Sequence, residues 1–136
     1  MTESTFNDLS PEIILSHADH RQLNLLAMAG LDHTPDQSDK LLYELDRARV
    51  LDDTEVPGDI VRMGSTVAYR TDTGQEQKVT LVYPADADIA QGRISVMTPV
   101  GTALIGLRTG QSITWRSRDN KRHMLTVLSV QPASVG

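Results

Sequence analysis

A chain of 136 residues with 39% hydrophobic side chains suits one domain, or one small domain with a helical appendage, and is too apolar for general disorder. It contains no cysteine, which excludes disulfides, thiolate catalysis and thiolate zinc sites, and no run approaching roughly 18 apolar residues, which excludes a membrane-spanning helix. The net charge of −5 is unevenly split: residues 1–60 carry thirteen acidic and four basic side chains, residues 61–136 five and nine, a pattern that suits a partner with fields of both signs or two surfaces with different tasks.

The N-terminus holds Glu3 and Asp8 without a basic and apolar leader pattern, so no signal peptide is expected and the cytoplasm is the default compartment. Ile13, Leu15 and the residue between them form a short apolar run, either an edge strand or an anchor for the first helix. Ser16 reads as an N-cap, with Asp19 three residues on closing a capping box, and the helix runs to about Ala29 with Leu23, Leu26 and Ala27 as its apolar stripe. Gly30 can close it. Thr34, Pro35 and Gln37 signal a second start. Leu41, Leu42, Leu45 and Ala48 form a helical face that predicts an end near Val50 or Leu51, before the stop at Pro57 and Gly58. The short connection predicts an antiparallel hairpin.

From residue 59 the period changes to two. Strands are expected around Val61, Val67 and Tyr69, then at Val79, Leu81 and Tyr83 after a turn at Asp72–Gly74. Further strands are expected at Ile94, Val96 and Thr98, over Ser112–Arg116, and over Met124–Val130. One helix, Val100 to Ile105, is available to cover this sheet. The fold class is therefore α+β: residues 1–55 form an N-terminal segment and short helical hairpin, and residues 56–136 form an antiparallel sheet with one short helix.

The chemistry-bearing residues are sparse. His17 and His20 lie three apart on one helix but lack a third ligand with a predictable place. Asp32, His33, Asp36 and Asp39 gather at the hairpin tip, where carboxylates suit either a cation or the positive end of a helix. Asp86 and Asp88 occupy a loop before Gly92 that does not meet the calcium-loop pattern. Arg116, Arg118, Lys121 and Arg122 surround a turn at Asp119 and Asn120 and could meet phosphates or an acidic protein surface, although Trp115 alone makes no stacking platform. Pro99, Gly101, Gly106 and Gly110 punctuate the short helix. Val100, Leu104 and Ile105 cannot all face inward from so short a helix, so exposed apolar surface is expected beside Met97, rimmed by Arg93 and Arg108, as a protein-docking site. No cofactor, metal or catalytic residue is expected, and no Walker or dinucleotide fingerprint is present.

Three runs carry a family resemblance: Val61 to Val67, Leu81 to Asp88, and Gly92 to Gly106 with its Thr98-Pro99-Val100-Gly101 turn. They resemble the C-terminal domain of bacterial Gre-type transcript cleavage factors. Tyr43 to Arg49 followed by Val56 to Met63 is similar to a short branch of that group, the regulators of nucleoside diphosphate kinase. The resemblance implies an FKBP-like C-terminal domain with a twisted antiparallel sheet. It also implies docking on RNA polymerase at the secondary-channel rim through Asp86, Asp88, Thr98, Pro99, Val100 and Gly101, which coincides with the apolar surface expected at Met97, Val100 and Leu104. The long hairpin of cleavage factors carries an Asp and a Glu at its tip for metal delivery. Here the arms are short and the tip reads Gly30 to Asp36 without that pair, so rim binding without cleavage is expected, in competition with Gre-type factors. An effect on nucleoside diphosphate kinase would be indirect, with a direct contact to the kinase or nucleic-acid binding through the basic hairpin as alternatives. Nucleic acid is expected only within the polymerase complex. The protein is expected to be a monomer, non-enzymatic, without a membrane partner. Prolyl isomerase activity is not expected, because the aromatic residues needed for such a pocket are few.

Overall fold

The computed structural model describes residues 9–117 and 119–133. Strand β1 (Ile14–Ser16) leads directly into helix α1 (His17–Ala29), and Ser16 Oγ accepts the Asp19 N–H at 3.1 Å, the expected cap. Helix α2 (Pro35–Arg47) has proline in its first turn, as its sequence requires. Thr34 does not cap it: the Thr34 hydroxyl donates back to Gly30 O at 3.3 Å. The helix also stops earlier than its apolar pattern predicts. Val50 and Leu51 belong to strand β2 (Arg49–Leu51), which pairs in parallel with β1 in the register Leu15 to Val50. Ala48 continues the apolar face and packs against the core, but its backbone is already extended, so the apolar pattern runs past the helix end. Arg49 N–H donates to Ile13 O at 2.9 Å and Ile14 N–H to Gly106 O at 3.1 Å, so the β1 segment is stitched on one side to β2 and on the other to Gly106.

The second half holds β3 (Thr66–Thr71), β4 (Glu76–Val82), β5 (Arg93–Ser95), helix α3 (Pro99–Leu104), β6 (Ser112–Arg116) and β7 (Arg122–Gln131). The sheet order is β5-β4-β3-β7-β6, a curled, mixed five-stranded half-barrel. The wholly antiparallel expectation is corrected here: β4 and β5 are parallel, in the register Leu81 to Ile94. The chain reverses twice between them, through 3₁₀ turns at Pro84–Asp86 and Ile89–Gln91, and two reversals restore the strand direction. Val61 is not in a strand but exchanges backbone bonds with Gly106 and Leu107. Thr98 is not in β5; its hydroxyl caps α3 by accepting the Gly101 N–H at 3.1 Å.

Period-two burial is clear on β3 and β7, where Val67, Tyr69, Leu125 and Val127 face inward. A bulge between Ala68 and Tyr69 shifts the register and turns Val130 back onto the core three residues after Val127. One hydrophobic cluster joins Ile13, Leu15, Leu23, Leu41 and Leu45 to Val67, Leu81, Leu104 and Leu125. At the free edge of β6, Thr114 N–H donates to Leu9 O at 2.9 Å, and Lys40 Nζ reaches Arg116 O at 3.4 Å.

Candidate functional site

Two predicted segments meet in space. The turn into α3 supplies Thr98, Pro99 and Val100, and the loop between β4 and β5 supplies Ala87 and Ile89. With Tyr69, Ile94 and Trp115 they line an open groove of about 420 Å³. Backbone geometry fixes both walls. The loop is folded back on itself by paired bonds of 2.9 Å between Asp88 and Arg93 and closed by Gly92 in the left-handed region. The turn is fixed by Ser95, whose hydroxyl accepts the Met97 N–H at 2.9 Å and whose carbonyl accepts the Thr98 hydroxyl at 2.7 Å. Trp115 forms part of the floor, stacked on His123 with ring centroids 4.6 Å apart, and its indole N–H is buried without an acceptor among the described residues.

The structure sorts the other predicted residues. Leu104, the last residue of α3, and Ile105, just beyond it, are both fully buried, so the expected exposed surface does not come from them; Pro99 and Val100 are half-buried at the groove. Gly101 is buried beneath the turn rather than on its surface. Asp86 and Asp88 are exposed on the loop, outside the groove lining. Arg93 reaches the groove, whereas Arg108 is engaged elsewhere with Asp59 at 3.3 Å. Met97 faces a different recess, of about 420 Å³, with His33, Asp36, Gln37 and Lys40, which brings the tip of the helical pair against the strand-to-helix turn. Asp32 is exposed in the 3₁₀ turn before it.

Behind that recess, Gln37 Nε2 donates to Thr102 Oγ1 at 2.7 Å, and Thr102 Oγ1 donates to Val96 O at 2.7 Å, both buried. Arg116 lines a further groove between α2 and β6 with Lys40 and Tyr43. Lys121 and Arg122 are exposed near it in sequence, and Arg118 lies outside the described residues. Ser117 Oγ donates to Asp119, and that bond holds the Asp119 carboxyl below its usual range. His17 turns to Asp52 at 3.6 Å and His20 Nε2 to Leu45 O at 3.0 Å, so the two imidazoles serve different partners. Among the described residues no group of three or more His, Asp or Glu side chains converges as a metal site.

Sequence reasoning did not assign Tyr69, Ala87, Ile89, Ile94, Ser95, Trp115 or Ser117 to the groove. Only Ile89 left a signal: an isoleucine amid a polar loop, 86% exposed in the fold. The clasp between Gln37 and Thr102 left none, because Gln37 reads as a helix-start residue and nothing in the sequence places Thr102 beside it.

The α+β scaffold thus presents a mostly apolar groove at a sharp strand-to-helix turn. The chain belongs to the Gre family: the family model described as "Transcription elongation factor, GreA/GreB, C-term" matches residues 56–132. Over nearly its whole length the chain is similar to proteins named "Regulator of nucleoside diphosphate kinase". It is 40% identical to those of Escherichia coli K12 and Shigella flexneri, covering 93% of this chain and 95% of each relative. A transcription elongation factor GreA of Rhodospirillum rubrum is 44% identical over 49% of this chain and 43% of its own length. A solved structure titled "Prokaryotic transcription elongation factor GreA/GreB from Nitrosomonas europaea" superposes with a TM-score of 0.70 at 35% identity, over 88% of this chain and 99% of that one. By this kinship the chain is a non-enzymatic regulatory protein. Among the described residues no helix is long and apolar enough to cross a membrane.

Proposed function

We propose that the chain regulates nucleoside diphosphate kinase, acting through protein docking in the groove between Ile89 and Val100. The observation that carries this reading is the similarity, end to end, to relatives named for that regulation. It moves a direct contact with the kinase ahead of the indirect effect expected from sequence. The groove supports a protein partner: its walls are apolar, its backbone is fixed by hydrogen bonds before any partner arrives, and Ile89 stands ready to be covered.

A second reading is favoured by the match of residues 56–132 to the elongation-factor model. Here residues 56–136 act as an FKBP-like docking domain on RNA polymerase near the secondary-channel rim, and residues 1–55 act as a short hairpin that competes with Gre-type factors without stimulating cleavage. The helices support the absence of cleavage: each has 13 residues, or about 20 Å at the α-helical rise, and the tip lies against Met97.

The two readings separate in one experiment. Purified protein is titrated against nucleoside diphosphate kinase and against core RNA polymerase, with Ile89→Arg and Val100→Arg beside the parent. Saturable binding to the kinase that both variants weaken supports the first reading. Binding to polymerase alone, displaced by a Gre-type factor, establishes the second in its place. Binding to neither defeats both.

A further inference from the structure

Helix α1 is apolar on two faces. The stripe read from sequence, Leu23, Leu26 and Ala27, packs into the core. A second stripe on the opposite face stays in solvent: Leu25 is 62% exposed and Met28 56%, with Ala29 exposed beside them. Counted from Arg21, the residues Leu25, Met28, Ala29 and Asp32 recur at four, seven, eight and eleven positions, the spacing of one helical face. Gly30 keeps a right-handed helical backbone and leads into the 3₁₀ turn Gly30–Asp32, so Asp32 extends the same line. Arg21 and Asp32 are exposed at its two ends, about 16 Å apart at the α-helical rise. Neither is ion-paired among the described residues.

Helix α2 shows an ordinary solvent face by contrast. Asp36, Asp39, Lys40 and Asp46 are exposed there, interrupted by Tyr43. Between Arg21 and Asp32 the exposed residues of α1 carry no charge, and Gln22 and Asn24 are the polar ones. A membrane surface does not suit this strip, because an interfacial helix needs a basic polar face and a broader apolar one. A partner of a single charge sign does not suit it either, since it would meet repulsion at one end. With a cation at one end, an anion at the other and apolar side chains between, the surface that complements the strip is its own reverse.

We propose that this face pairs with the same face of a second copy of the chain, the two α1 helices running antiparallel about a two-fold axis beside the Leu26–Ala27 peptide. That axis sets Leu25 of each copy against Met28 of the other, and Arg21 of each against Asp32 of the other, because both pairs are centred on the same point in the chain. Ala29 leaves room for close approach, and the flexible Met28 side chain can fill what remains. One helix per copy covers less than the roughly 1,200 Å² at which stable complexes begin, so a dissociation constant on the order of a millimolar is expected. This departs from the monomer expected from the sequence, where only the inward stripe of α1 was read. The face shares no residue with the docking groove, so pairing and docking can be tested separately.

The test is sedimentation equilibrium of the full chain from about 0.02 to 2 mM, with amide-resolved NMR over the same series. The weight-average mass should rise toward that of two chains, with concentration-dependent shifts gathered at Arg21, Leu25, Met28 and Asp32. Leu25→Ser should abolish both. Arg21→Glu alone and Asp32→Arg alone should each weaken self-association about tenfold, because each sets two like-charge pairs across the axis. An equimolar mixture of those two variants should recover association, since opposite charges then meet at both ends, and so should the double variant. A mass that stays at one chain at the highest concentration overturns the proposal. So do association that survives Leu25→Ser or either charge variant unchanged, a mixture no better than its components, and shifts gathered at Ile89 and Val100 instead of α1.

Discussion

A methyl group at position 101 has nowhere to go. A Cβ built on Gly101 collides with the carbonyl of Ser95 and would lie 2.9 Å from Val96 Cα, both backbone atoms that cannot swing aside. Gly101→Ala should therefore cost about 1–3 kcal/mol in urea denaturation, the usual range for overpacking; an unchanged midpoint would show that α3 can lift away from β5. Asp19 makes a prediction in pH. Its folded-state pKa lies above the ordinary 3.8, because burial penalises the charged form. Folding therefore favours the protonated carboxyl. That contribution is present in full below the unfolded-state value and is lost as pH rises through the folded-state value. Asp19→Asn removes this slope, so its denaturation free energy relative to the parent should climb across that window and then level off. A difference that stays flat with pH would count against the burial penalty. At this scale the sequence was readable where one residue has one job: Ser16 caps α1 and Pro35 opens α2, as their positions announce. Asp19 was legible only as a helix-start acid, since burial depends on what the distant Met63 segment brings beside it.

Among the elements, local signals predicted what was local. The alternation of Val67 with Tyr69 is followed by β3, whereas on β7 the pattern offers apolar residues on both faces and the fold buries Leu125 and Val127. The pairing of β1 with β2 was hidden, because three residues are too few to show a period and their partners lie 35 positions apart in the register of Ile14 with Arg49. The direction of β5 was hidden for a related reason. Its hydrophobic pattern fits either orientation, and only the double reversal through the 3₁₀ turns decides. The clasp from α2 to α3 belongs here too. Thr102→Val should cost about 1–3 kcal/mol in thermal or chemical denaturation, because it strands the buried Gln37 amide. Adding Gln37→Leu should restore part of that loss, and a double variant as unstable as the sum of the singles would deny the coupling. Ser16→Ala should cost about 1 kcal/mol through the lost cap to Asp19 N–H, read in the same denaturation.

For the whole molecule, one apolar cluster runs from Ile13 through both long helices into the sheet, so unfolding should be a single transition by helix and tryptophan signals alike. Separate midpoints for far-ultraviolet circular dichroism and for Trp115 fluorescence would contradict it. The docking groove was half legible: the turn at Thr98 to Val100 announces itself, while the opposite wall is set by how β4, β5 and their loop curl, which spacing does not encode. Ile89→Arg should weaken partner binding without moving the unfolding midpoint, because a side chain so exposed contributes little to the core. The borders of the curled sheet bear on how the protein behaves in a crowded solution. A strand with an unpaired side invites pairing with a neighbouring chain. On β6 that side is occupied by Leu9 at Thr114 and by the Lys40 ammonium at Arg116. At the other border β5 is three residues long and is folded over by the Asp88 loop. Fibrillar association is therefore discouraged by the same short contacts that fasten the start of the described chain and α2 to the sheet, and loosening them would expose a template before it unfolded the core.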